Sequence, residues 1–127
     1  MKTLVMMPTF NEIETLERSV SELFRHNPNV ELLVIDDNSP DGTGQLADRI
    51  SAERPRVAVL HRAGKQGLGK AYLAGIAWGL ENGFDLLVQM DADGSHRAED
   101  LPKLISQAGI RNLVIGSRWI PGGAVHN

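Results

Sequence analysis

The chain has 127 residues, 42% of them hydrophobic and 23% charged, which is material for one globular domain with a sizeable core. Its 13 basic and 16 acidic side chains leave a formal charge of −3, which gives no footing for non-specific binding to nucleic acid. The absence of cysteine excludes disulfides, thiolate metal sites and thiol nucleophiles.

In chain order the sequence repeats one unit: a short apolar run, a polar turn, a helical pattern. Thr3 to Met7 is a buried-strand candidate that Pro8 is expected to stop. Glu12 to His26 places Ile13, Leu16, Val20, Leu23 and Phe24 at helical spacing, and Asn27-Pro28 ends the helix. Glu31 to Ile35 reads as a second strand, followed by turn formers from Asp36 to Thr43. Gln45 to Glu53 reads as a helix, Arg56 to Leu60 as a third strand, and Gly67 to Asn82 as a long helix closed by Gly83. Phe84 to Met90, Ala98 to Gln107 and Asn112 to Ile115 supply a strand, a helix and a fifth strand.

Strands without alternation, separated by helices, imply a doubly wound α/β fold with a mostly parallel, Rossmann-like sheet and helices on both faces. No repeat or low-complexity tract interrupts it, so 1–127 reads as a single domain. The longest nearly apolar stretch, Ala71 to Leu80, has about half the roughly 20 residues of a membrane-crossing helix. The run from Met1-Lys2 to Pro8 is too short for a secretory leader, so a cytoplasmic location is expected.

In doubly wound sheets, ligands bind beyond the carboxyl ends of the strands. The unusual residues of this chain fall there: Pro8 to Glu12, Asp36 to Thr43, Gly64 to Lys70, Asp91 to His96, and Gly116-Ser117-Arg118. Asp91 and Asp93 can converge on a hard divalent cation if the backbone curls at Gly94; equally, they can be solvated acids near a helix N-terminus capped by Asp93 or Ser95. The adjacent Asp36 and Asp37 repel one another and require donors or cations nearby. They admit two readings, turn chemistry or a ligand-binding carboxylate, in which case Asp37 is a solvated strand-end group. Glu12 can cap a helix or face a ligand, and Arg118 can be a surface side chain or a phosphate ligand. His26, His61, His96 and His126 have no metal-ligand spacing. The stretch Gly64 to Lys70 fits the phosphate-loop pattern G-x-x-x-x-G-K, but Ala71 stands where a magnesium-binding hydroxyl belongs.

Together, Pro8-Thr9-Phe10-Asn11-Glu12, Asp36-Asp37-Asn38-Ser39-Pro40-Asp41-Gly42-Thr43, Gly67-Leu68-Gly69-Lys70-Ala71-Tyr72, Met90-Asp91-Ala92-Asp93 with Ser95-His96, and Gly116-Ser117-Arg118-Trp119 resemble the dolichol-phosphate (polyprenyl-phosphate) mannose synthases, family-two glycosyltransferases of the GT-A fold. The resemblance covers essentially the whole chain in order. It implies transfer of mannose from GDP-mannose to a polyprenyl phosphate with inversion, assisted by Mg2+ or Mn2+. By position it implies that Pro8, Phe10 and Glu12 contact the nucleotide, with Phe10 where the family usually has Tyr. Ile35 and Asp37 would hold the base and ribose, and Asp91, Ala92 and Asp93 the sugar diphosphate. The metal would lie on Asp91 and Asp93 with Ser95, and Arg118 would bind a phosphate, as of the lipid acceptor. Asp91, Asp93 and Arg118 are then the catalytic set.

Catalytic domains of that family continue well past Gly122-Gly123. The chain is therefore expected to be a donor-binding half, cut after about five strands, with apolar surface near its end that invites self-association. The whole protein is expected at the cytosolic membrane face. The remaining readings are a different donor, such as UDP-glucose, or a non-catalytic module that binds nucleotide sugars.

Overall fold

The computed structural model describes residues 2–64, 67–92, 98–107 and 113–115. They form β1 (Thr3–Thr9), α1 (Leu16–His26), β2 (Glu31–Asp36), α2 (Thr43–Glu53), β3 (Val57–His61), α3 (Leu68–Glu81), β4 (Leu86–Gln89), a 3-10 turn (Ala98–Asp100) running into α4 (Leu101–Gln107), and β5 (Leu113–Ile115). The strands make one five-stranded sheet in the order β3-β2-β1-β4-β5, and every pairing is parallel. This is the doubly wound α/β architecture that the apolar runs imply.

Successive side chains of a strand point to opposite faces, so a strand buried on both sides divides its residues between two cores. Val5 and Met7 of β1, Leu32 and Val34 of β2, and Leu86 and Val88 of β4 pack with Leu16, Val20 and Leu23 of α1 and Leu46, Ala47 and Ile50 of α2. Leu4, Met6, Leu33, Ile35 and Leu87 pack on the other side, with Ala71 and Tyr72 of α3 and with Phe84. Two glycines let α3 lie close to that second face. A Cβ at Gly75 would stand 2.7 Å from Ile35 Cδ1, and one at Gly79 2.6 Å from Leu87 Cδ2.

The element boundaries differ from the sequence expectation at two instructive places. β1 does not stop at Met7 but runs through Pro8 to Thr9. Pairing with β2 continues to Pro8↔Ile35 and Thr9↔Asp36, whereas pairing with β4 ends at Met6↔Gln89. Met6 O turns toward β4, where it accepts from Met90 N, and Pro8, two residues on, faces the same side. The N–H that proline lacks would therefore point where the ladder has already ended. The first helix begins at Leu16 rather than Glu12. Asn11 sits at φ 57, and residues 13–15 form a turn in which Glu12 O accepts from Thr15 N and Leu16 N.

The last described helix likewise opens with a 3-10 turn at Ala98–Asp100. Gly83, at φ 77, closes α3 as expected. Among the described residues no helix is long and apolar enough to cross a membrane.

Candidate active site

The chain order places the switch point at β1, from which β2 and β3 extend to one side and β4 and β5 to the other. A cleft of about 270 Å³ opens there, at the carboxyl ends of the strands. It is lined by Pro8, Thr9, Phe10 and Glu12 after β1, Asp37 after β2, Gly67, Leu68 and Ala71 at the start of α3, and Asp91 and Ala92 after β4.

The string from Asp36 to Thr43 builds one wall by serving the loop after β1. Ser39 Oγ accepts from Asn11 N at 3.0 Å, Thr43 Oγ1 from Glu12 N at 2.9 Å, and Asp41 Oδ2 from Ile13 N at 3.2 Å. Three side chains at alternate positions thus satisfy three consecutive backbone N–H groups that lie ahead of the first intrahelical bond of α1. Asp41 Oδ1 also accepts from the N–H and the hydroxyl of Thr43, so it helps to open α2. Desolvation works to raise the pKa of the Asp41 carboxyl, but the hydroxyl and N–H of Thr43, the N–H of Ile13 and its own N–H outweigh it and hold the group below its usual 3.8.

The two adjacent aspartates part company. Asp36 is buried and structural: it accepts from Thr9 Oγ1 at 2.8 Å, Ser39 N at 3.1 Å and Ser39 Oγ at 2.6 Å. Asp37 lines the cleft, yet it is only 6% exposed, which corrects the expectation of a solvated strand-end carboxylate. Its partner is Arg62, whose Nη1 lies 3.0 and 3.2 Å from its two oxygens. Nothing in the spacing of residues 37 and 62 announces this contact in the sequence. The parallel neighbours β2 and β3 end side by side and bring them together.

Ile35 also differs from expectation. It is fully buried on the α3 face of the sheet and does not line the cleft, because its place in β2 turns its side chain into the core. Pro8, Phe10 and Glu12 do line the cleft, as does Ala92. Glu12 also works locally: its carbonyl opens the turn before α1, and its Oε2 accepts from Thr15 Oγ1 at 3.3 Å.

Across the cleft, Asp91 is partly exposed, and its Oδ1 accepts from Tyr72 Oη at 3.2 Å. The next residue is fixed from the opposite face: Ala92 O accepts from Thr15 Oγ1 at 2.8 Å and from Ser19 Oγ at 3.1 Å, both at the start of α1. Tyr72, Thr15 and Ser19 therefore hold Asp91 and Ala92, and helical periodicity marks none of them as polar contacts. Asp93, Ser95 and Arg118 lie outside the described residues, and among the described residues no three acidic or histidine side chains gather as a metal cluster. Asp91 itself offers a hard oxygen donor of the kind Mg2+ and Mn2+ take. Lys70 of the phosphate-loop pattern is exposed on α3 and is not among the lining residues, whereas Gly67 and Leu68 of the same stretch are.

A five-stranded parallel sheet with its cleft at the switch point, walled by carboxylates, defines a doubly wound α/β protein with its ligand site at the strand ends. Residues 4–126 match the family model described as glycosyl transferase family 2, and the chain belongs to that family.

It is 54% identical over its whole length to the undecaprenyl-phosphate mannosyltransferase of Micrococcus luteus, covering 52% of that protein. It is 53% identical over 99% of its length to the polyprenol monophosphomannose synthase of Mycolicibacterium smegmatis, covering 48% of it. The chain thus spans about half the length of these curated relatives. A mannosyltransferase from Pyrobaculum calidifontis, solved with GDP-Man and Mn2+, superposes with a TM-score of 0.66 at 22% identity, over 78% of this chain and 29% of that one. S. aureus TarS 1-349, solved with UDP-GlcNAc, gives 0.67 at 22% identity, over 84% and 30%.

Proposed function

We propose that this chain is the donor-binding part of an enzyme that transfers mannose from GDP-mannose to a polyprenyl phosphate with inversion at the anomeric carbon. A single observation carries the reading: the cleft at the switch point sets Phe10, Glu12 and Asp37 on one side and Asp91 and Ala92 on the other, in a chain more than half identical to two named polyprenyl-phosphate mannosyltransferases.

In this reading Pro8, Phe10, Glu12 and Asp37 take the nucleoside, with Ile35 supporting them from the core beneath. Asp91 and Asp93, with Ser95, would hold a divalent cation, whose contribution is positive charge against the departing diphosphate. Mn2+ in the Pyrobaculum structure supports that choice, and Mg2+ is the other candidate. An oxygen of the acceptor phosphate attacks the sugar C1 from the face opposite the diphosphate. The bond from C1 to the diphosphate oxygen breaks, and GDP leaves with the electron pair. A phosphate monoester is already anionic near neutrality, so the reaction asks the protein for positioning and charge compensation rather than for a strong general base. Arg118 is assigned to the acceptor phosphate. A polyprenyl acceptor sits in a membrane, so the protein is placed at the cytosolic membrane face, and self-association belongs to the same proposal.

Calorimetry of GDP-mannose and UDP-glucose with Mn2+, with Mg2+ and with chelator, followed by transfer of labelled mannose to polyprenyl phosphate, tests the reading. Metal-dependent binding of GDP-mannose and formation of the lipid-linked mannose are expected. Equal binding with chelator sinks the metal assignment, and preference for UDP-glucose moves the donor. Binding without transfer by the intact protein leaves a non-catalytic module.

A further inference from the structure

We propose that Arg62 is a positioning residue of this cleft. Its guanidinium clamps the Asp37 carboxylate in one orientation and so fixes the acceptor that the nucleoside end of the ligand meets. The proposal rests on the nucleotide-sugar reading above.

The observations are local and specific. Arg62 directly follows β3, and its N donates to Asp36 O at 2.8 Å, so the β2–β3 ladder continues one step past the strand. The side chain therefore leaves from a fixed point. Asp37 is anchored in the same way on its other side, with its N donating to Thr9 O at 3.2 Å. One nitrogen, Nη1, reaches both carboxylate oxygens, and the Arg62 side chain is 13% exposed. Asp37 lines the cleft and Arg62 does not, so the guanidinium holds the carboxylate from behind.

The torsion that turns a carboxylate plane is broad and roughly two-fold, so an unclamped aspartate presents no single direction. A clamped one does. An ionised carboxylate only accepts, so the ligand atom it meets must carry a hydrogen: a ribose hydroxyl or the imino N–H of a guanine or uracil edge. A base edge with only an acceptor there sets its lone pair against the carboxylate's, and sites built on a buried polar group reject such ligands strongly. Arg62 would thus set discrimination without touching the ligand.

The test is the affinity of the intact protein for GDP, UDP and ADP, with Mn2+ present, in the wild type, Arg62→Met, Arg62→Lys, Asp37→Asn and the Arg62→Met/Asp37→Asn double variant. Arg62→Met is expected to weaken GDP roughly tenfold and to narrow the preference for GDP over ADP. Arg62→Lys should restore part of both, and in the Asp37→Asn background Arg62→Met should add nothing. If Arg62→Met fails to fold, Arg62→Lys and the double variant, which buries no lone charge, carry the same comparison. Additive losses, or an unchanged ratio of GDP to ADP, overturn the clamp while leaving the nucleotide reading in place. A wild type that binds neither GDP nor UDP overturns both.

Discussion

The carboxylate of Asp36 accepts from Thr9 and Ser39, and the space beside its Oδ2 is kept open by a glycine. A Cβ at Gly44 would stand 2.8 Å from that oxygen and 3.4 Å from His61 Cε1. The oxygen cannot retreat without loosening its bond from Ser39 N, so the crowding falls on a buried, fully used group. Gly44→Ala gains helix propensity of about 1 kcal/mol at most, whereas forcing extra volume into such a site costs roughly 1–3 kcal/mol. A net loss of about 1–2 kcal/mol in chemical denaturation is expected from these terms. A variant at least as stable as the parent would show that Asp36 has slack and is not pinned.

At the scale of elements, the wall of the cleft is two loops tied by side-chain acceptors, and Asp41 is the titratable knot. Its carboxyl takes Ile13 N from the loop after β1 and Thr43 N at the start of α2. Those donors favour the ionised form, so its folded pKa lies below the unfolded value near 3.8. The resulting stabilisation is complete above that value and is lost as the pH falls through the lower folded pKa. Asp41→Asn is expected to shift the urea midpoint by a constant amount above about pH 5, and the gap to the parent should narrow as the pH drops below 4. A gap that does not change with pH would mean that the tether does not depend on the charge. Because the carboxyl is exposed, the effect belongs to the loop pair more than to the global fold.

The whole molecule divides into two cores across the sheet, and only one of them carries the α3 wall of the cleft. Gly67, Leu68 and Ala71 line it and Tyr72 holds Asp91, all from a helix seated on the sheet through Gly75 and Gly79. Gly75→Leu should lift α3 and lower stability by about 1–3 kcal/mol, weakening nucleotide binding with it. Ile50→Ala, in the opposite core, is expected to cost about 2–5 kcal/mol of stability and to leave binding nearly unchanged at temperatures where the protein stays folded. Denaturation and calorimetry on the two variants check this. Equal effects on binding would show that the two faces are not independent supports for the site.

The sequence by itself determined the alternation of strands and helices, the parallel sheet, and the concentration of polar chemistry after the strands. Those features are written in local composition: unbroken apolar runs such as Thr3 to Met7, and turn formers such as Asn38 to Gly42. It also brought Pro8, Phe10, Glu12, Asp37, Asp91 and Ala92 to notice, and the fold gathers them round one cleft. Only the tertiary structure decided that Asp36 is a strut while Asp37 faces the cleft, that Ile35 is core, and that Arg62, Tyr72, Thr15 and Ser19 hold the acidic loops. The late start of α1 belongs there too, since the N–H groups of Asn11, Glu12 and Ile13 ahead of it find their acceptors about 30 residues away. Composition along a chain sets which way a segment prefers to fold, but partners drawn from separate strand ends become neighbours only once the sheet has chosen its order. Periodicity carries no record of that choice.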